Sequence, residues 1–109
     1  MSGSNQTVIK CKGNVNLEVG QDQLTICGQP LEIYIEVARE RIRQETKWGQ
    51  QNHQPIIWSN ILGEEFGEVY KAINEAIFNG SSWLDYREEL VQVAAVAIAA
   101  VESLDRNTK

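Results

Sequence analysis

Residues 56–78, IIWSNILGEEFGEVYKAINEAIF, have the periodicity of one long helix whose apolar side is interrupted by acid. At about 100° per residue, Ile57, Ile61, Val69, Ala72, Ile73 and Ala76 fall on one broad face, with Glu65 near its middle. A leucine or isoleucine belongs at such a position. Glu68 lies roughly 60° from Glu65, toward the edge of the same face, and Glu64 sits just outside it. Burying an ionised carboxylate without a partner is costly, and two close together repel, so something positive is expected between them. A divalent metal meets that need.

Working toward the C-terminus, Asn79-Gly80 is a helix stop, and Ser81 and Ser82 offer caps for the next helix. That helix is expected from about Trp83 or Asp85 to Leu104. It is apolar almost all round from Leu90 to Val101 and is therefore expected to be the central, most buried helix. Glu89 and Gln92 are i, i+3 neighbours on one of its faces, with Val93, Val96 and Ala100. Two Glu-x-x-oxygen pairs thus face each other across a helical hairpin. Oxygen ligands without His or Cys select hard cations, and Mg²⁺ in particular is held by a few carboxylates plus waters and phosphates. The competing arrangement pairs Glu65 and Glu68 with buried Arg or Lys, or leaves them at an exposed helix end. No Lys or Arg falls on the apolar faces of these two helices.

Working toward the N-terminus, Trp48-Gly-Gln-Gln-Asn-His-Gln-Pro55 breaks the periodicity and gathers an aromatic, amides and the only histidine into one loop. Before it, Tyr34, Val37, Ala38 and Ile42 recur at helical spacing, so a first helix is expected from Pro30 to about Lys47. Glu32, Glu36 and Glu40 form one row on it, and Arg39, Arg43 and Lys47 another, the pattern of a solvated, charge-paired surface. A phosphate-binding arginine is the minority alternative. Residues 1–29 carry four of the eight glycines and predict two or three short strands around Val8-Ile9-Cys11, Val15-Leu17-Val19 and Leu24-Thr25-Ile26. Gly13-Asn14 and Gly20-Gln21-Asp22 would be their turns, and a flexible arm is the alternative. Domains are therefore expected at 1–29, 30–105 and a polar tail at 106–109.

The whole chain, 109 residues with 42% hydrophobic and 23% charged side chains, has the size and composition of one globular domain. A large active site would then be shared between subunits. A formal charge of −5 and a pI near 4.8 argue against a nucleic-acid polymer or an anionic membrane as partner. The start lacks the basic and apolar regions of a signal peptide, and no apolar run approaches the roughly 20 residues that span a bilayer, so a cytoplasmic setting is expected. Cys11 and Cys27 match no zinc or thioredoxin spacing and are taken as ordinary thiols.

Glu64-Glu65-Phe66-Gly67-Glu68, followed after the hairpin by Glu89-Leu90-Val91-Gln92, resembles the EExxE and ExxD motifs of MazG-like nucleoside triphosphate pyrophosphohydrolases. The likeness extends over about residues 31–105. Trp48-Gly49-Gln50-Gln51-Asn52-His53 and residues 87–95, REELVQVAA, are similar to a phage and bacterial branch of that family. The resemblance implies an all-α helical bundle, a homodimer or homotetramer, and Mg²⁺-dependent hydrolysis of nucleoside triphosphates to monophosphate and pyrophosphate, with Mn²⁺ as an alternative metal. It also implies Glu65, Glu68 and Glu89 as metal ligands, Gln92 at the fourth ligand position and Glu64 at an acidic position that orients a ligand or water. Gln92 departs from the family, which has an acidic residue there.

A metal bridging phosphate oxygens lowers the pKa of a bound water, and Glu64 and Glu68 are the candidate bases for its proton. Trp48, Asn52 and His53 are placed to stack on and hydrogen-bond a nucleobase, with Lys71 a candidate phosphate contact. Their plainer roles are a core plug for Trp48, a surface position for His53 and solvation of the helix for Lys71. The rival function is a non-catalytic helical dimerisation or partner-binding module, with Gln92 the mark of lost activity.

Overall fold

The computed structural model describes residues 7–10, 16–19, 25–26 and 28–108. The chain divides into two compact units, residues 1–35 and 36–109. In the first, β1 (Thr7–Lys10) pairs antiparallel with β2 (Asn16–Val19), Val8 opposite Glu18 and Ile9 opposite Leu17. A second antiparallel pair joins β3 (Thr25–Ile26) to β4 (Gln29–Pro30). Gly28, in the turn between them, takes φ +72°, a left-handed conformation that suits glycine. The expected turns at 13–14 and 20–22, with Cys11, Val15, Leu24 and Cys27, lie outside the described residues.

Pro30 ends β4 instead of opening a helix. A residue before proline is pushed toward extended backbone, which keeps Gln29 in a strand, and the helix starts two residues later. That helix, α1 (Glu32–Trp48), is followed by α2 (Pro55–Asn79) and α3 (Trp83–Asn107). An all-α bundle with a short β segment at the N-terminus is thus the fold. No helix of the described residues is long and apolar enough to cross a membrane.

Each helix boundary has a local cause. Gly49, at φ +75°, ends α1, its N–H donating to the Glu45 carbonyl at 2.8 Å. Pro55 occupies the first turn of α2, where a missing N–H leaves nothing unsatisfied. Gly80 closes α2 in the left-handed region, and Ser82 Oγ accepts from Leu84 N at 3.0 Å to open α3. The α3 helix runs past the expected end at Leu104. Asn107 Nδ2 and Thr108 Oγ1 donate back to the Ser103 and Leu104 carbonyls, and Arg106 grips the 51–52 loop.

The core of the second unit lies between α2 and α3, where Trp58, Val96 and Ala99 are buried with Ile61, Leu62 and Ala100 packed around them. Ala95, Ala99 and Ser103 line the buried side of α3, small residues that let the helices approach closely. The inward face of α2 is centred on Trp58, with Ile57 42% exposed, a correction to the expected stripe. Two turns separate Trp58 from Glu65, so they point only about 20° apart, whereas Ile57 is about 80° away. Nor is α3 covered all round: Leu90, Ile98, Val101 and Leu104 are exposed on one side. Ion pairs tie α1 to α3, Glu36 to Arg87 with two bonds of 2.7 Å and Arg41 to Glu102.

Candidate active site

The face that buries Trp58, Val69 and Ala72 also carries Glu65 inward, and α3 brings Glu89 to meet it. One oxygen of each, Glu65 Oε2 and Glu89 Oε2, is buried with no hydrogen-bond partner. Burial, and then the charges of Glu68, Glu40 and Glu64, push the Glu65 carboxyl above its ordinary range. Burial likewise raises Glu89, followed by the charges of Glu65, Glu68, Glu88 and Asp85. Repulsion and desolvation act in the same direction, and among the described residues no cation relieves either buried oxygen. The expected alternative, pairing of Glu65 with a buried Arg or Lys, is not what these oxygens show.

Glu68 is exposed and Glu64 is exposed, yet both act on Glu65 through their charge. Gln92, half-buried, lines a cleft of about 390 Å³ together with Glu65, Trp58, Ile61, Val96 and Ala99. Arg41, Arg43, Lys47 and Arg106 border the same space, with Glu40 and Glu45 among them, Glu40 paired to Arg43 and Glu45 to Arg41. The carboxylates are close enough to feel one another, but among the described residues no three Asp, Glu, His or Cys side chains are already drawn into a metal cage. Their chemistry suits a hard divalent cation, because the donors are oxygens and two of them are orphaned.

No family model matches the chain, and no curated protein or solved structure matches it either. What the site can do is therefore argued from its own residues.

The loop after α1 divides between two clefts. Trp48, Gly49 and Gln51 border the first, the Trp48 ring 61% exposed with Lys47 Nζ at 4.8 Å from its centre. Asn52 and His53 border a second cleft of about 630 Å³, on the other side of Trp58, with Ser59, Leu62 and Leu104. There His53 meets the Trp58 ring edge-on at 5.1 Å, and Asn52 Oδ1 accepts from Arg106 Nε and Asn107 Nδ2, each at 3.1 Å. Trp48 and His53 thus do not line one common pocket. Lys71 is exposed and borders neither cleft.

Three participants were not singled out from the sequence. Trp58 carries a buried Nε1 without a partner and forms the wall between the clefts, which its two-turn spacing from Glu65 would have shown. Arg41 and Arg106 gave no such signal, since a charge on a solvated surface and one in a helix tail look alike until the helices are packed.

Proposed function

We propose that this chain is a Mg²⁺-dependent hydrolase of the MazG-like kind, cleaving nucleoside triphosphates to monophosphate and pyrophosphate in the cytoplasm. The observation that carries the proposal is the pair of orphaned, buried carboxylate oxygens on Glu65 and Glu89. A protein stabilises two such groups most economically by a cation from solution, and oxygen donors favour a hard one. Glu65, Glu68 and Glu89 would hold it, with Gln92 adding a neutral oxygen. When bound, Mg²⁺ supplies charge neutralisation at phosphate oxygens and a more acidic water.

The chain's own groups account for the remainder. Exposed Glu64, or Glu68 through the oxygen that does not hold the cation, would take a proton from water and pass it to solvent. Lys47, which borders the same cleft as Glu65, offers positive charge to a polyanion entering it, as does Arg43 where its pairing with Glu40 allows. The exposed Trp48 ring at the same cleft presents a face on which a base stacks. Leu90, Ile98, Val101 and Leu104 support assembly into a homodimer or homotetramer, which would cover them.

The deciding experiment measures pyrophosphate release from a panel of nucleotides, with and without Mg²⁺, for the parent chain and Glu65→Gln. Metal-dependent release by the parent that falls to background in the variant is expected. A parent that releases no pyrophosphate from any nucleotide would refute the proposal and leave the partner-binding module as the function.

A further inference from the structure

The side of α2 that faces away from α3 carries no charge along its length. At about 100° per residue, Ile56, Gly63, Phe66, Gly67, Tyr70 and Ile77 lie within about 60° of one line there. Trp58, Val69 and Ala72, the buried residues of the helix, lie on the other side. The four large apolar side chains of the outer line are 49–67% exposed. Gly63 and Gly67 are exposed among them, and a methyl group added to either would meet no neighbouring group within 4 Å. Neither takes the left-handed backbone that calls for glycine. Glycine inside a helix is penalised relative to alanine, so two of them four residues apart need a reason that this chain alone does not supply.

A second α2 laid antiparallel across this side supplies it. With a two-fold axis between Phe66 and Gly67, each residue faces its mirror position. Phe66 meets the partner subunit's Gly67, Tyr70 meets the partner subunit's Gly63, and Ile77 meets the partner subunit's Ile56. Each ring thus falls on a notch. Lys71, which borders neither cleft, stands on one flank with Glu64, and the same axis brings it within one turn of the partner subunit's Glu64. A parallel pair would set Tyr70 on Tyr70 and Lys71 on Lys71, a conflict of bulk and of charge. Aromatic side chains offer about 150–250 Å² each, so these rings and isoleucines supply much of the roughly 800 Å² per subunit that a specific interface buries.

We propose that the outer side of α2 is a two-fold contact with a second copy of this chain, the two helices antiparallel and in close approach at Gly63 and Gly67. It lies on the far side of the α2–α3 hairpin from the exposed stripe of α3, so the two surfaces act separately and together would build a dimer of dimers. The contact does not rest on the hydrolase function, since none of its residues borders the first cleft. Engagement of Glu64 by the partner subunit's Lys71 leaves Glu68 as the base in that function.

Disulfide capture in the full chain, with Cys11 and Cys27 replaced by Ser, tests the register. Ser59 and Asn74 are exposed and face each other across the axis, whereas within one helix they are about 22 Å apart, too far for a disulfide. Ser59→Cys combined with Asn74→Cys is expected to give a disulfide-linked pair of chains under mild oxidation at micromolar concentration, and neither single variant should do so. The linked pair should still form when Val101→Asp disables the α3 stripe. By light scattering, Tyr70→Asp is expected to halve the mass of the parent assembly. Gly67→Leu is expected to weaken association about tenfold, because it fills the notch that Phe66 needs. Unspecific apolar adhesion would instead be strengthened by the added leucine.

Absence of the interchain disulfide, equal yield from either single variant, or a parent-like mass for Tyr70→Asp would overturn the contact. This side of α2 would then belong to a different protein, and the hydrolase function would stand unaffected. Should Tyr70→Asp fail to fold, as judged by circular dichroism, the disulfide and Gly67→Leu decide alone: no linked pair, or unchanged or tighter association, refutes the proposal.

Discussion

Glu65 is a residue whose charge the fold tolerates rather than uses. Its folded pKa is raised, so the stability it contributes is fully present below the ordinary carboxylate range and is lost as pH rises through the raised value. Glu89 behaves alike. Glu40, held below its usual range by the Arg43 hydrogen bond, has the opposite sign and stabilises above that range. At neutral pH, without metal, Glu65→Gln is therefore expected to raise the melting temperature while removing any Mg²⁺-dependent stabilisation. A lower melting temperature, or an undiminished response to Mg²⁺, would contradict this. Gln92→Asp is expected to tighten Mg²⁺ binding, because a charge replaces a dipole near Glu89. Calorimetric titration giving unchanged or weaker affinity would place Gln92 away from the metal.

All three helices were legible in the sequence to within two or three residues at each end, whereas what α1 contributes to the cleft was not. Asn79-Gly80 and Ser81-Ser82 announce the turn between α2 and α3 because left-handed backbone and a capping hydroxyl are local requirements. Ser82→Ala is accordingly expected to destabilise the protein by about 1 kcal/mol, read from chemical denaturation. A loss below a few tenths would mean that the Leu84 N–H finds another acceptor. Glu65 and Glu89 were legible for a related reason: an acid inside an apolar stripe violates periodicity wherever the stripe packs. The α1 contribution was hidden, since Glu40, Arg41 and Arg43 look like a solvated surface until their tertiary partners are known. Glu36 finds Arg87, and Arg41 finds Glu102, at distances in sequence that no spacing rule spans.

At the scale of the whole molecule, Leu90, Ile98, Val101 and Leu104 occupy one exposed stripe of α3, and covering it recovers roughly 25 cal/mol for each Å² of apolar surface. Light scattering at micromolar concentration is expected to give a dimer or tetramer, and Val101→Asp to shift it toward monomer. A folded, active 12.3 kDa monomer would refute the assembly and the shared site with it. Only residues 80–82 separate α2 from α3, whereas the contacts of α1 with α3 join residues more than fifty positions apart. Chain closure favours the nearer pair, so α2 and α3 are expected to zip together early and α1 to dock late. On that order Glu65 and Glu89 would be brought together before the α1 ion pairs form. Mg²⁺ present during refolding should therefore accelerate the earlier event, whereas added salt should slow only the later one. Stopped-flow traces in which Mg²⁺ leaves the refolding rate unchanged would show that the two carboxylates meet only after the rate-limiting barrier.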